Sequence, residues 1–487
     1  MKRIFNLYTL ALLLLLGSCK KDYLETAPSD QAPTQLVFAT TEGAYVAING
    51  IYRAHYQAWD VDAFAQKALD LVSDLMGNDM VVNAAGYNWF NGDYRYTSQA
   101  SSVTNGRSDL TWSYYYLLIN AANNIIVNVD AASGPQEDKD NIKGQALAVR
   151  ANCYFNLVNY FQHTYKGNEA KPGVPLYTEP SSEGKPRGTV QDVYNQIIAD
   201  LTAAEGLLAN KSRKHFSHIT INTAQGFRAR VALQMEDWAT AATYANKARQ
   251  GYVPMTTSQY LGGFSSVTNP EWMWGMQIIT DQSTLFASFF SHVDASVFGY
   301  AQAGMAQKKI TKALYDMIPA GDVRRSAFKA PGTGAGINPD YNQNKFYILD
   351  PSTWNADYVF MRAAEMYLIE AEALARQNQD AAARTVLEAL VKTRYPAYSA
   401  AGFSGAALVN EVLLQRRIEL WGEGFSLLDI KRLKTGLNRP AGPGNHGAPN
   451  LSPNIFTMAD QDPRLLFKIP QRELDANKSM TIADQNP

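Results

Sequence analysis

The stretch RAAEMYLIEAEALAR (residues 362–376), followed by QNQD and then AAARTVLEALVKTR (residues 381–394), carries the strongest fold signal in the chain. Small and apolar residues recur every three or four positions on both sides of the break, which is typical of two amphipathic helices. A second such unit joins residues 224–235 to residues 238–249 through a two-residue turn. Both units resemble tetratricopeptide helix pairs, which need neighbouring pairs to bury their faces.

Helical periodicity continues outside these two units. It predicts helices at residues 44–56, 68–76, 110–129, 142–161, 190–208, 358–376, 406–421 and 425–433. Residues 251–355 are richer in Gly, Ser, Thr and Asn, and only residues 309–317 look helical there. In EWMWGMQII (residues 271–279) Trp272 and Trp274 alternate around Met273, which predicts a buried strand. We therefore expect a mostly all-α fold: a tetratricopeptide-like scaffold with a loop-rich insertion.

The N-terminus has the organisation of an export signal. Lys2 and Arg3 precede an apolar run over residues 7–16, about half of the ~20 residues needed to span a bilayer. Gly17 and Ser18 before Cys19 resemble a bacterial lipobox, so residues 1–18 are a predicted lipoprotein signal peptide and Cys19 the lipidation site. Residues 19–35 then form a polar tether. The alternative is an ordinary signal peptide that happens to carry a cysteine.

Composition limits the classes of partner. The formal net charge is -1, which argues against binding to nucleic acid. Aromatic residues make up 11% of the chain, including 27 Tyr and 8 Trp, more rings than a core requires. Such a surplus suits recognition of flat, polar ligands such as sugars or peptides. Apart from Cys19 the only cysteine is Cys153, which lies in an apolar helical stretch and is interpreted as a small buried side chain rather than a nucleophile.

Several segments together carry a family resemblance. They are TWSYYYLLINAANNII (residues 111–126), RANCYFNLV (150–158), the stretch at 362–376, RRIELWGEGFSLLDIKRL (416–433), FKIPQREL (467–474) and the closing QNP. With the CKKDYLE start at Cys19, they resemble the SusD/RagB family over nearly the whole mature chain. Members are outer-membrane lipoproteins of Bacteroidetes that bind nutrient oligomers, usually glycans, and cap a SusC-like TonB-dependent transporter.

The resemblance implies an organisation as well as a function. We expect one SusD-like domain at residues 36–487, with an N-terminal helical part (36–250), the loop-rich insertion (251–355) and a C-terminal helical part (356–487). The resemblance further implies four tetratricopeptide-like units and a ligand site built mainly from loops. We predict no cofactor. It places the protein in the outer membrane through its lipid anchor, facing the outside.

The best candidate for the ligand site is the loop GNDMVVNAAGYNWFNGDYRYT at residues 77–97. A pyranose offers a weakly polar C–H face and a rim of hydroxyls, so it needs an aromatic platform flanked by polar groups. The resemblance points to Trp89, Asn91 and Arg95. Asp79 and Tyr87 complete the candidates from this loop. The alternative is that the rings anchor the loop to the scaffold, above all Tyr94 and Tyr96.

A second contribution is predicted from residues 281–303. This segment clusters Phe289, Phe290, His292, Phe298 and Tyr300, of which Tyr300 is the candidate for ligand contact. Poor periodicity leaves open that the cluster is core beneath a long loop.

Charged residues in the C-terminal motifs favour a structural role. Arg417 with Glu419 and Glu423, and Asp429 with Arg432, are interpreted as charge pairs around a buried apolar face. Glu365, Glu370 and Glu372 lie one turn apart on a scaffold helix, where carboxylates usually face solvent or arginine, so a hydrolase is disfavoured. The six histidines include no i, i+4 pair, and no calcium-loop pattern occurs, so we predict no metal site.

The sequence therefore predicts a non-enzymatic, surface-anchored oligosaccharide-binding protein that delivers its ligand to a SusC-like transporter. Two alternatives stay open. One is a RagB-like member that binds peptides, and the other is a scaffold whose partners are proteins only.

Overall fold

Residues 34–447 and 455–487 are described by a computed structural model. The predicted signal peptide and Cys19 lie outside them. The N-terminal part contains, in chain order, α1 (Thr34–Val37), α2 (Thr41–Ala54), α3 (Gln66–Leu75), β1 (Met80–Val82), α4 (Asn91–Tyr94), α5 (Arg107–Asn128), α6 (Gln136–Phe161), β2 (Pro172–Pro175), β3 (Arg187–Thr189), α7 (Val190–Leu208), α8 (Ile221–Met235) and α9 (Trp238–Ala248).

The rest of the chain divides into a middle segment of short elements and a second helical part. The middle segment holds α10 (Thr257–Tyr260), β4 (Trp272–Met276), α11 (Phe289–Val293), α12 (Tyr300–Ala303), β5 (Lys308–Ile310) and α13 (Lys312–Asp316). The C-terminal part holds β6 (Tyr358–Arg362), α14 (Ala363–Arg376), α15 (Asp380–Val391), α16 (Gly405–Glu419), α17 (Ser426–Arg432), β7 (Leu437–Asn438), β8 (Thr457–Met458) and α18 (Gln471–Ala476). The mostly α-helical fold class is thereby confirmed.

Both predicted helix hairpins are present. Between α8 and α9, Glu236 takes the left-handed conformation (φ 60°) and the Asp237 side chain accepts a hydrogen bond from the Thr240 N–H, which starts the second helix. Helices α5 to α9 pack each against the next, α9 packs against α14, and α14 packs against α15 and α16. Each amphipathic face is therefore covered by a neighbouring helix.

The strands correct two predictions. Residues 358–362 form β6 rather than the start of a helix, and β6 pairs antiparallel with β4. Residues 308–310 form β5, which pairs antiparallel with β1, so the helix predicted over 309–317 shrinks to α13. Residues 358–362 (YVFMR) are a short apolar run that fits either period, and the three residues of β5 (KKI) are too few to show one. In both places the partner strand decides. The buried strand predicted around Trp272 and Trp274 is confirmed as β4.

A buried ion cluster joins the middle segment to the C-terminal part. Arg362 contacts Glu271 (2.6 Å), Glu419 (2.8 Å) and Glu423 (2.7 Å), and Arg394 contacts Glu271 (2.8 Å) and Glu419 (3.0 Å). Its other members are Arg324, Lys345 and Asp322. The pairing of Arg417 with Glu419 and Glu423 was therefore a wrong prediction, because both carboxylates are taken by these cations.

Two further observations concern the hydropathy of the helices and the buried thiol. No helix within the described ranges is both long enough and apolar enough to cross a bilayer. Cys153 lies inside α6 with 1% of its surface exposed, and burial raises the pKa of its thiol. The interpretation of Cys153 as a small buried side chain is confirmed.

Candidate functional site

The loop that follows β1 is held against the segment before β5. Met80 pairs with Ile310 and Val82 with Lys308. The loop that follows β1 and the loop that precedes β5 therefore start side by side at the same end of this two-stranded sheet. Gly86 has a positive φ of 55°, and a Cβ there would lie 2.9 Å from the Ala306 Cβ. Glycine is thus required for the close approach of residues 83–90 to residues 300–306.

Five partly exposed rings meet where these loops converge. Tyr300 is at the centre, with ring centroids 5.6 Å from Tyr87, 5.9 Å from Trp89 and 5.3 Å from Phe286. Phe286 in turn lies 6.5 Å from Phe298. Tyr87 and Phe298 are 61% and 65% exposed, which is unusual for large rings that contact other rings. We call these five residues the aromatic surface.

Buried groups fix Tyr300 from below. The His292 ring stacks on Tyr300 at 5.0 Å with an interplanar angle of 21°. His292 Nε2 donates to the Val61 carbonyl (2.9 Å), and burial, with a smaller contribution from Lys308, lowers the pKa of His292 to about 3. The imidazole is therefore neutral at physiological pH and acts as a flat support.

A buried lysine holds the backbone of the residue that supports Tyr300. Lys308 Nζ donates to the carbonyls of His292 (3.1 Å) and Ala306 (2.8 Å). Burial lowers the pKa of Lys308 to about 7. These bonds tie β5 to α11 and so help to hold the His292 ring in place.

Amide groups border the aromatic surface. Asn88 is exposed, and its side-chain oxygen accepts a hydrogen bond from Asn91 Nδ2 (2.6 Å). Asn83 Nδ2 donates to Gln307 Oε1 (3.0 Å), and its oxygen accepts from Lys309 Nζ (3.0 Å). Rings flanked by amides suit a ligand with apolar faces and hydroxyl edges.

Of the six predicted ligand residues, Tyr87, Trp89 and Tyr300 are brought together. Asp79 lies elsewhere: it precedes β1 whereas Asn83 follows it, roughly 13 Å away along the strand. Its carboxylate forms a two-bond ion pair with Arg417, at 2.6 and 2.8 Å.

Asn91 is the first residue of the short helix α4, and Arg95 follows its last residue. Asn91 is 4% exposed and donates to the Asn88 side chain, so it supports the loop from behind. Arg95 is half-buried, and its Nε has no hydrogen-bond partner within the described residues. Neither side chain is stacked on the aromatic surface.

Tyr94 and Tyr96 are anchors of the loop. Tyr94 is 1% exposed and its hydroxyl bonds to His446 Nδ1 (2.6 Å). Because His446 Nε2 faces the Asn78 carbonyl, Nδ1 accepts and Tyr94 donates. The Tyr96 hydroxyl donates to the Met76 carbonyl. This agrees with the alternative interpretation of these two rings.

Phe286 is the ring that the sequence did not single out. It lies in TDQSTLFAS, just before the aromatic cluster at residues 289–300, and is 37% exposed. A lone phenylalanine among Ser and Thr was the available signal. Phe289 and Phe290, in contrast, are buried core residues.

The three glutamates that could suggest a hydrolase all form ion pairs with arginine. The pairs are Glu365 with Arg230 (2.7 Å), Glu370 with Arg249 (2.6 Å) and Glu372 with Arg432 (2.7 Å). Paired in this way, they act as structural charges. Within residues 34–447 and 455–487, no three His, Cys, Asp or Glu side chains are grouped as metal ligands.

Two family models match the chain. Residues 22–233 match a model described as "Starch-binding associating with outer membrane", and residues 264–487 match the model of the SusD family. Two SusD-like proteins of Formosa agariphila are similar along the chain. One is 22% identical, covering 89% of this chain and 92% of its own; the other is 24% identical, covering 98% of both.

Solved structures give the same assignment. A SusD-like carbohydrate-binding protein from Bacteroides vulgatus superposes with a TM-score of 0.80 at 29% identity, covering 92% of this chain and 99% of its own. A sugar-binding protein from the same organism, described as putative, superposes with a TM-score of 0.78 at 27% identity, covering 92% and 98%.

Proposed function

Because this chain belongs to the SusD/RagB family, we propose that it binds oligosaccharides at the aromatic surface and passes them to a SusC-like TonB-dependent transporter. The observation that carries the proposal is the meeting of Tyr87 and Trp89 with Phe286, Phe298 and Tyr300. These residues come from two segments about 200 positions apart and leave ring surface exposed at one place.

The chemistry of the surface favours sugars. Ring faces contact the C–H face of a pyranose, while neighbouring amides such as Asn88 exchange hydrogen bonds with its hydroxyls. The rings contact one another, and Tyr300 also stacks on His292, so binding requires little reordering of side chains. A structural relative at 29% identity is described as carbohydrate-binding, which supports the same ligand class.

In this proposal the protein binds its ligand without catalysing a reaction on it. Its lipid anchor on Cys19 and the tether at residues 19–35 hold it at the outer membrane, facing outward beside the transporter. A ligand bound at the aromatic surface is thereby kept near the transporter entrance at high local concentration.

Calorimetric titration of the mature chain with maltoheptaose, laminarihexaose, xylohexaose and defined hexapeptides tests the proposal. We expect micromolar-to-millimolar affinity for one glycan without turnover. Trp89→Ala and Tyr300→Ala each weaken binding at least tenfold, about 1.4 kcal/mol. Trp59→Ala is the matched control, because Trp59 is a 36%-exposed ring that contacts Tyr114 instead.

Other outcomes separate the alternatives. Binding of peptides alone would favour a RagB-like member, and binding of no small ligand would favour a protein scaffold. Unchanged glycan binding by Trp89→Ala and Tyr300→Ala would contradict the site. Release of reducing ends from a bound glycan would show an enzyme.

Delivery needs its own test. Detergent extraction and affinity purification of the lipidated protein from its native membrane should co-purify a TonB-dependent transporter. Cys19→Ala should lose membrane association while keeping glycan affinity. A protein that purifies alone from membranes would contradict the transporter partnership.

A further inference from the structure

A second aromatic groove lies away from the proposed glycan site. It has a volume of about 460 Å³ and runs between α5, the loop at residues 177–181 and α18. Trp112, Tyr116 and Tyr177 supply its rings. The Trp112 and Tyr116 ring centroids are 4.8 Å apart, and Tyr116 meets Tyr177 at 5.8 Å with an interplanar angle of 86°.

Hydrogen bonds hold this aromatic corner in one shape. The Tyr116 hydroxyl donates to the Pro175 carbonyl (2.8 Å), and the Tyr177 hydroxyl accepts from the Lys185 N–H (3.1 Å). Asn123 Nδ2 donates to the carbonyls of Tyr177 (3.0 Å) and Glu179 (3.2 Å), which ties the loop to α5. The groove is therefore preformed.

Two carboxylates on the groove lack a cationic partner. No Lys, Arg or His nitrogen lies within salt-bridge distance of Glu179 or Glu473 in the part of the chain that the structure describes. Among the described residues, the Glu473 carboxylate accepts a hydrogen bond only from Asn477 Nδ2 (2.8 Å). The remaining charge, Arg472, is neutralised by Asp109 at 2.5 Å. The groove thus carries an excess of negative charge.

The carboxylate of Glu473 lies close to the rings. Burial is the main reason that the pKa values of Tyr116 and Tyr177 are raised, and the charge of Glu473 adds to the rise for both. Tyr177 already contacts one cation, since Lys185 Nζ lies 5.5 Å from its ring centroid although Lys185 is outside the groove lining. Ring faces beside unpaired carboxylates form an environment that favours a cation.

We infer that this groove is a docking site for an arginine side chain presented by a polypeptide segment of a partner protein. A planar guanidinium stacks on an aromatic face and donates along its edge to carboxylates, here Glu179 and Glu473. A lysine ammonium lacks the flat face and is more strongly hydrated, so it fits the corner less well.

The groove favours a peptide over free arginine. A volume of about 460 Å³ is in the range of sites for drug-sized ligands, which leaves room for the backbone on either side of the side chain. Free arginine carries an α-ammonium and an α-carboxylate group, and both must lose hydration to enter the groove. An internal arginine residue has neither charge.

Fluorine NMR of the mature chain labelled with 5-fluorotryptophan tests the inference. The Trp112 resonance is assigned as the signal missing from Trp112→Phe. Acetyl-Gly-Arg-Gly-amide should shift this resonance to saturation. The lysine peptide should bind several-fold more weakly, and free arginine and the neutral citrulline peptide at least tenfold more weakly.

Charge variants provide the second arm. The double variant Glu179→Gln/Glu473→Gln should lose at least tenfold in affinity for the arginine peptide and keep its circular dichroism spectrum. Glu183→Gln is the matched control, because Glu183 is an exposed acid on the neighbouring turn that does not line the groove. It should bind like the parent chain.

Three results would overturn the inference. They are equal binding of the arginine and citrulline peptides, unchanged binding by the double variant, and a Trp112 shift caused by an oligosaccharide but by no arginine peptide. None of these results concerns Trp89 or Tyr300, so the proposed glycan site is tested independently.

Discussion

Glu423 shows how single residues of the ion cluster carry stability. It is 9% exposed and contacts both Arg362 and Lys345. Glu423→Gln leaves those two cations buried with less than their full set of partners. We expect a loss of about 3–5 kcal/mol in the free energy of unfolding, measured by urea denaturation. Glu388→Gln is the control: its pair with the half-exposed Lys392 is worth about 0–1 kcal/mol. Equal losses would contradict a special role for the cluster.

The same carboxylate predicts a dependence on pH. Burial opposes the charged form of Glu423, but Arg362 and Lys345 outweigh it and lower its pKa to about 2. Because the folded-state pKa is below that of the unfolded chain, the stabilisation is complete above about pH 4.5 and is lost as pH falls toward 2. Unfolding free energy measured from pH 6 to 3 should therefore decline less steeply in Glu423→Gln. An identical slope would contradict the assignment.

Elements differ in how far the sequence predicts them. The helix at residues 190–208 has the predicted bounds, and the one at 238–248 ends one residue before the predicted position, because 3.6-residue periodicity is a local property. β6 was missed because YVFMR is a short apolar run whose state depends on β4. The rings at Tyr87 and Trp89 were predictable from loop composition. Their contact with Tyr300 depends on the β1–β5 pairing, and the partner of Asp79 is 338 residues away.

The turn between α16 and α17 gives a prediction at the scale of an element. Gly424 has φ +92°, its N–H donates to Asp74 Oδ2 (2.8 Å), and a Cβ would lie 2.7 Å from the Asp70 Cα. Gly424→Ala therefore strains the turn and pushes it off α3, at a cost of at least about 2 kcal/mol in thermal or urea unfolding.

Two glycines elsewhere in the chain serve as controls that distinguish backbone strain from crowding at that turn. Gly251 has φ +85° with open space around it, so Gly251→Ala should cost about 1 kcal/mol from strain alone. Gly402 has open space and no positive φ, and Gly402→Ala should be close to neutral. If all three variants unfolded alike, contact between the turn and α3 would not be a source of stability.

At the scale of the whole molecule, one apolar core connects the three segments expected from the sequence. Trp112 on α5, Trp274 on β4 and Trp421 after α16 all belong to it. The ion cluster also joins Glu271 in the middle segment to Arg362 and Arg394 in the C-terminal part. The middle segment is therefore joined to the N-terminal part through the core, and to the C-terminal part through both the core and the ion cluster.

We therefore expect the chain to unfold as one unit despite its 487 residues, a length at which separate transitions are common. With 5-fluorotryptophan labelling and assignment by single Trp→Phe variants, the signals of Trp112, Trp274 and Trp421 should share one urea midpoint. Loss of the Trp274 signal at lower urea would instead make residues 251–355 a separate folding unit. In that case the rings of Phe286, Phe298 and Tyr300 would lie on a segment that opens independently of Tyr87 and Trp89, and glycan affinity would fall at the first midpoint.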